Sequence, residues 1–298
     1  MLTVAQAVDA NNMCPRFKEF SLGSKIRALE LLAPTVGNII TAFSAGGGDY
    51  TTITAAEAAA VAGDTIYCLG SFTEAVATTK AGLRFINPTL QPHLCQWTSV
   101  TDTVTLTLGA ADQVVGGIRF KPPTYTAGVP ASIQLSSAAY AQILSNIFQG
   151  QTGSWNAIYS PVCNSDNVEI IDNQFKYLNT ATYGAAILGL EAGGLSYSAW
   201  HIKGNYFNAP VTAVNINGRV CLVEGNHFGI NGINAAGAGA AVCTKALDLS
   251  GTSSYGNRVH GNYLGGLYSA TLYTVGASGD DWAGNFNIAG ITTANPAP

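Results

Sequence analysis

Val168-Glu169-Ile170-Ile171-Asp172-Asn173-Gln174-Phe175 returns after 32 residues as Trp200-His201-Ile202-Lys203-Gly204-Asn205-Tyr206-Phe207, and after 21 more as Cys221-Leu222-Val223-Glu224-Gly225-Asn226-His227-Phe228. Each copy opens with apolar residues two apart, the period of a strand with one face turned inward. It closes on a four-residue phrase: a small or turn residue, usually Asn, any residue, then Phe. Further copies are Gly82-Leu83-Arg84-Phe85, Gly117-Ile118-Arg119-Phe120, Ser145-Asn146-Ile147-Phe148 and Gly261-Asn262-Tyr263-Leu264, with Gly284-Asn285-Phe286 as a degenerate eighth. Successive fourth positions lie 35, 28, 27, 32, 21, 36 and 23 residues apart. Such spacing is too irregular for helical repeats and natural for coils carrying variable loops. A β-sandwich would also have short strands and turns, but it does not repeat the same inward and turning residues in the same order.

The Asn is expected where the chain bends, since its short amide tolerates left-handed backbone and hydrogen-bonds locally. With coils about 4.8 Å apart, Asn146, Asn173, Asn205, Asn226, Asn262 and Asn285 would stack as an amide ladder beside an apolar Phe column. The predicted fold is all-β, a right-handed parallel β-helix, with a short helical N-terminal segment and an N-terminal capping helix. Residues 1–45 lack the phrase, and Ser24 to Ala33 reads as an amphipathic helix N-capped by Ser24 and stopped by Pro34. Gly46-Gly47-Gly48 reads as a flexible junction and Thr54 to Ala62 as an Ala-rich cap for the open end of the solenoid. The β-helix is placed at residues 46–290, without an assignment for 121–140, and an extended tail at 291–298.

Composition narrows the function. Only 10% of the 298 residues are charged and 47% are hydrophobic, so self-association is expected. A net charge of −4 and scattered Lys and Arg leave no basic stripe, which argues against nucleic acid. The start of the chain lacks the basic and apolar regions of a secretory signal, and no stretch is long enough to span a bilayer. Synthesis in the cytoplasm and no membrane anchor are therefore expected. The six Cys have no Cys-x-x-Cys pair and read as small buried hydrophobes, with no cofactor implied.

Asp49-Tyr50-Thr51-Thr52-Ile53, the Ala-rich helix, Gly63-Asp64-Thr65-Ile66-Tyr67 and Gly70-Ser71-Phe72-Thr73-Glu74 resemble the entrance of a pectate-lyase-like right-handed parallel β-helix, and the Asn-x-Phe coils continue the likeness over residues 46–290. That superfamily includes polysaccharide lyases, glycoside hydrolases and phage tailspikes and other virion proteins. The expectation drawn from it is a bacteriophage virion protein, a spike, tail or capsid-decoration β-helix. It would be a homotrimer docked to other virion proteins through residues 1–45, with host-surface polysaccharide as candidate ligand.

The alternative is a polysaccharide depolymerase. Hydrolysis needs two carboxylates flanking the glycosidic bond, and Asp280-Asp281 is the one adjacent acidic pair. It resembles the Gly-Asp-Asp element of polygalacturonase-like hydrolases, without that family's companion elements. Asp166, Glu169 and Asp172 come closest to a metal site, but strand alternation sets Glu169 opposite the other two, so no metal is expected. For sugar stacking the aromatics between coils are the candidates: Trp155, Tyr159, Tyr177, Tyr183, Tyr197 and Tyr255.

Overall fold

The computed structural model describes residues 37–121, 131–150, 156–162, 164–176, 185–189, 197–208, 212–229, 245–251, 254–264, 273–274 and 279–287. Strands recur in threes and every pairing between neighbouring coils is parallel, so the chain is a parallel β-helix. The first sheet starts at Ile39–Phe43 and ends at Asp281–Ala283. The second ends at Phe286–Asn287. Strand Thr65–Thr73 belongs to both, turning the corner at Gly70 (φ 108), so the two join as an 18-stranded sheet. The third sheet has 8 strands, from Val76–Thr78 to Tyr273–Thr274.

Register turns sequence repetition into columns. In the first sheet Ile66, Phe85, Val115, Ile143, Ile170, Ile202, Val223 and Val259 lie one above another. In the second, Phe72, Trp97, Phe120, Phe148, Phe175, Phe207, Phe228 and Leu264 do so. Phe148, Phe175, Phe207 and Phe228 stack nearly parallel, with centroids 4.6–4.9 Å apart. These columns, with Leu106, Ile133, Ile158, Ile187, Val214 and Leu247 of the third sheet, form one continuous core. Outside the first sheet, Ile86, Val114, Leu144 and Ile171 form a second buried cluster against Tyr67 and Leu90.

One copy of the phrase is corrected by this register. Phe85 sits in the first sheet's column, and its coil fills the Phe column with Trp97 instead. Gly82 (φ 67) stands two residues before a first-sheet strand, like Asp112, Tyr140, Asn167, Ala199 and Val220, all left-handed. It marks the corner entering the first sheet, whereas the phrase marks the corner leaving it. Phe286 pairs with Tyr263, the outward position, and is 64% exposed.

The bend is also made differently from expectation. The left-handed residue is the one before Asn, namely Ser145, Asp172, Gly204, Gly225, Gly261 and Gly284, with φ of 56–64°. Asn turns its amide inward instead. Asn173 N–H and Nδ2 donate to Asn205 Oδ1 (2.9 and 3.1 Å), and its Nδ2 also donates to the Ile143 carbonyl (2.8 Å). The same set repeats from Asn146 through Asn285, each Asn at most 1% exposed. Asn is selected because one side chain accepts from the Asn of the previous coil and donates both to a carbonyl of that coil and to the Asn of the next one.

The N-terminal end shifts in three respects. The first sheet begins at Ile39, inside the stretch assigned to the attachment segment. Gly46-Gly47-Gly48 belongs to a hydrogen-bonded turn: Gly46 N–H reaches the Phe43 carbonyl, and Asp49 bonds Thr41 through backbone and hydroxyl. The cap, helix α1, spans Ile53–Ala59, shorter than expected because its C-cap Ala60 is already extended. Thr52 N-caps it, the Glu74 carboxylate accepts from the N–H groups of Ile53 and Thr54, and Ile53 and Ala56 enter the core. The helical reading of 24–33 and the tail at 291–298 lie outside the described residues. Among the described residues no helix is long and apolar enough to cross a membrane.

Candidate functional site

Strand alternation points the third residue of each phrase, the one free to vary, away from the core. On the outer face of the second sheet this builds a column that changes character along the solenoid: Arg119, Ile147, Gln174, Tyr206, His227, Tyr263, Phe286. Its last four members are rings. The His227 imidazole meets Tyr206 edge-on at 4.9 Å and Tyr263 at 4.4 Å, with interplanar angles of 75° and 77°. Tyr206 is 38% exposed and Phe286 is the most exposed large apolar side chain described. Partial burial lowers the His227 pKa below the usual histidine value, favouring the neutral ring between its tyrosine neighbours.

At Tyr206 the column enters a groove of about 420 Å³. Its floor is Ile147, Gln174 and Lys176, one rim is the corner at Ser145, Asp172 and Gly204, and the other is the loop Leu90, Gln91, Pro92 and His93. This loop replaces the tight corner in a single coil, and buried Asn87 fastens it: Nδ2 donates to the carbonyls of Gln91 (2.8 Å) and Gly117 (2.9 Å), while Oδ1 accepts from the Thr89 hydroxyl. The groove therefore has a rigid sheet floor and a pinned wall. Exposed Asp172, Gln174, Lys176 and His93 supply polar groups of both signs beside one tyrosine. This combination suits a polyhydroxylated ligand better than an apolar one.

Asp280 and Asp281 do not form a pair for hydrolysis. Asp280 Oδ1 accepts from Asn257 N–H (2.9 Å) and Nδ2 (3.1 Å), and Asn257 Oδ1 accepts from Cys221 N–H (3.0 Å). Asp280 is thus the last rung of a second, shorter ladder at the other corner. Asp281 points to the opposite side, exposed and bonded to His260 (2.9 Å), with Arg258 3.6 Å away. Adjacent residues of a strand face opposite ways, so the two carboxylates cannot flank one bond.

The sequence-predicted aromatics are dispersed. Tyr159, beside Gln134 and Leu188 in the third sheet, is 9% exposed, and burial pushes its phenol up; it has no open ring face for sugar, contrary to expectation. Tyr255 is 45% exposed, but the Arg219 guanidinium lies 4.9 Å from its ring centroid. The strand Tyr197–Ser198 pairs with Gly218–Arg219, which brings the Tyr197 backbone next to that cluster. Trp155, Tyr177 and Tyr183 lie outside the described residues. The rings the sequence reading passed over, Tyr206, His227 and Tyr263, occupied the position treated as unconstrained.

Cys68, Cys95 and Cys221 are buried thiols; burial pushes Cys95 and Cys221 up to about 12, which leaves them unreactive. Cys14, Cys163 and Cys243 lie outside the described residues. Among the described residues no three His, Cys, Asp or Glu side chains gather to hold a metal. Neither a protein-family model nor a curated protein sequence matches the chain.

Proposed function

We propose that the chain is a non-enzymatic virion protein of a bacteriophage, a β-helix spike, tail or capsid-decoration protein of the pectate-lyase-like superfamily that binds host-surface glycan along the outer face of its second sheet. One observation carries the reading: an exposed column of rings runs into a polar groove on a rigid solenoid face. Sugar rings stack on exposed tyrosine faces, and a groove with fixed amide and charged groups orients hydroxyls. The low charge of the chain supports assembly as a homotrimer, with residues 1–45 gripping other virion proteins. A depolymerase is disfavoured by the opposed carboxylates of Asp280 and Asp281.

The reading is tested on two levels. In lysates of producing cells the chain is expected to band with particles in a density gradient; recovery of free chain alone overturns the virion assignment. On a glycan array the purified chain is expected to bind a bacterial surface polysaccharide, and Tyr206→Ala with Tyr263→Ala to abolish binding at an unchanged melting temperature. Undiminished binding by that double variant removes the ring column from the site.

A further inference from the structure

The cations of the described surface are not distributed evenly. Lys80, Lys203, Lys245 and Arg258 each lie within ion-pair distance of a carboxylate. Arg84 is buried beside Tyr67, and Arg219 lies over the Tyr255 ring. The remaining three, Arg119, Lys121 and Lys176, share the outer face of the second sheet, and among the described residues none of them is ion-paired. Arg119 and Lys121 stand two residues apart on one coil, Lys176 is distant in sequence, and register brings it to them. Gln149 pairs with Lys176, and Lys121, next after Phe120, falls opposite Gln149 on the coil before. Two coils set their backbones about 10 Å apart. Arg119 stands beside them, its Nε and Nη2 both donating to Gln149 Oε1, which holds the guanidinium over the strand.

Lys176 also lines the groove, so this cationic area opens directly into it and, through Tyr206, into the ring column. Gln149, Gln174 and Asn208 lie between and beside the charges as neutral donors and acceptors. Among the described residues lining the groove Asp172 is the one carboxylate, and it sits on the corner rim. A net charge of −4 for the whole chain therefore coexists with a locally positive face. Unpaired cations a few rungs apart, interleaved with amides and followed by rings, match a polymer that alternates negative charge with hydroxyls and carries flat apolar ring faces.

We propose that the ligand of this face is an anionic polysaccharide, its acidic groups held by Arg119, Lys121 and Lys176 and its neutral sugars stacked toward Tyr206 and Tyr263. The inference rests on the glycan-binding reading above and adds the chemical class. Single-stranded nucleic acid also combines charge with stacking faces, but three cations on one face give a short electrostatic footprint, and the interleaved amides suit hydroxyls.

The test uses the full chain with alginate and hyaluronate as acidic probes, dextran and mannan as neutral ones, and a 20-mer of single-stranded DNA, measured by calorimetry at 50 and 500 mM NaCl. Acidic glycans are expected to bind best, and to weaken severalfold at high salt as the charges are screened. Lys121→Gln and Lys176→Gln are each expected to weaken acidic-glycan binding about two- to fivefold, the range of exposed charge pairs, and Lys176→Glu by more. These are surface changes, so a retained melting temperature verifies the fold. Neutral glycans bound as tightly as acidic ones, with no effect of the lysine variants, overturn the anionic assignment and leave the glycan reading standing. Binding of neither set overturns both, and DNA binding tighter than either glycan replaces the proposal.

Discussion

Asn205→Ala probes the device that holds successive coils in register. The Asn205 side chain is fully buried and makes four hydrogen bonds: Oδ1 accepts from Asn173 N–H (2.9 Å) and Asn173 Nδ2 (3.1 Å), and Nδ2 donates to the Ile170 carbonyl (2.8 Å) and Asn226 Oδ1 (3.0 Å). Truncation affects the four partners unequally. Asn173 Nδ2 keeps the Ile143 and Ile171 carbonyls, and Asn226 Oδ1 keeps Asn205 N–H. The Asn173 backbone N–H loses its partner in a dry site, which costs about 1–3 kcal/mol. The weakened Ile170 carbonyl and the small void add about 1–2 kcal/mol. The expected loss is about 2–5 kcal/mol, or roughly 3–8 °C in melting temperature for a domain of this size. Thermal and urea unfolding followed by circular dichroism measure it, with Gln174→Ala, an exposed neighbour on the preceding coil, expected within about 0.5 kcal/mol of the parent. A loss below about 1 kcal/mol for Asn205→Ala would refute the view that the ladder's buried amides stabilise the stack.

Three further outcomes follow from the corners and the outer faces. Val220 is β-branched, left-handed (φ 54) and 61% exposed; Val220→Gly relieves about 1–2 kcal/mol of backbone strain against up to about 1 kcal/mol of added chain entropy. Its urea midpoint should rise slightly, and a fall counts against strain at that corner. Asp280→Asn keeps the oxygen that accepts from Asn257 and should leave stability within about 0.5 kcal/mol, whereas Asp280→Ala should lose about 1–3 kcal/mol; equal effects would show that the carboxylate is not a ladder rung. The Glu224 carboxyl is held below its ordinary value of 4.5, chiefly by the Lys203 hydrogen bond and also by His201. Its folded pKa is depressed, so its stabilisation is complete above about 4.5 and is lost as pH falls through the lowered value. The stability difference between the parent and Glu224→Gln should thus be present at pH 7 and vanish at lower pH, and a difference constant with pH would contradict this pairing.

Much of the architecture is readable in one dimension, because a solenoid turns each coil position into a vertical column. Val168, Ile170 and Phe175 state the inward positions of one coil, and their counterparts in the next coil restate them; the core needs only that agreement. The failures have one physical source. Gly82-Leu83-Arg84-Phe85 matches the phrase letter for letter at two places, yet a coil has two left-handed corners with similar chemistry. Only pairing with Ile66 and Val115 shows which corner it is. The Asn backbone was misread for a related reason: the turn conformation and the buried amide lie on adjacent residues, and local propensity alone assigns both to Asn.

What the sequence determined by itself is the repeat, and with it the parallel stack, the inward apolar columns and the six ladder asparagines, since these depend on period and residue type. What only the tertiary structure decided is the surface. Lys176 looks unrelated to Arg119 and Lys121 along the chain and joins them in one cationic area when coils pair. Tyr206, His227 and Tyr263 look like arbitrary residues between Asn and Phe and become a ring column. Asp280 and Asp281 look like a catalytic pair and separate to opposite sides of a strand. Neighbours across the second sheet are set by register between residues 21 to 36 apart, and that register also depends on loop lengths that no local pattern reveals.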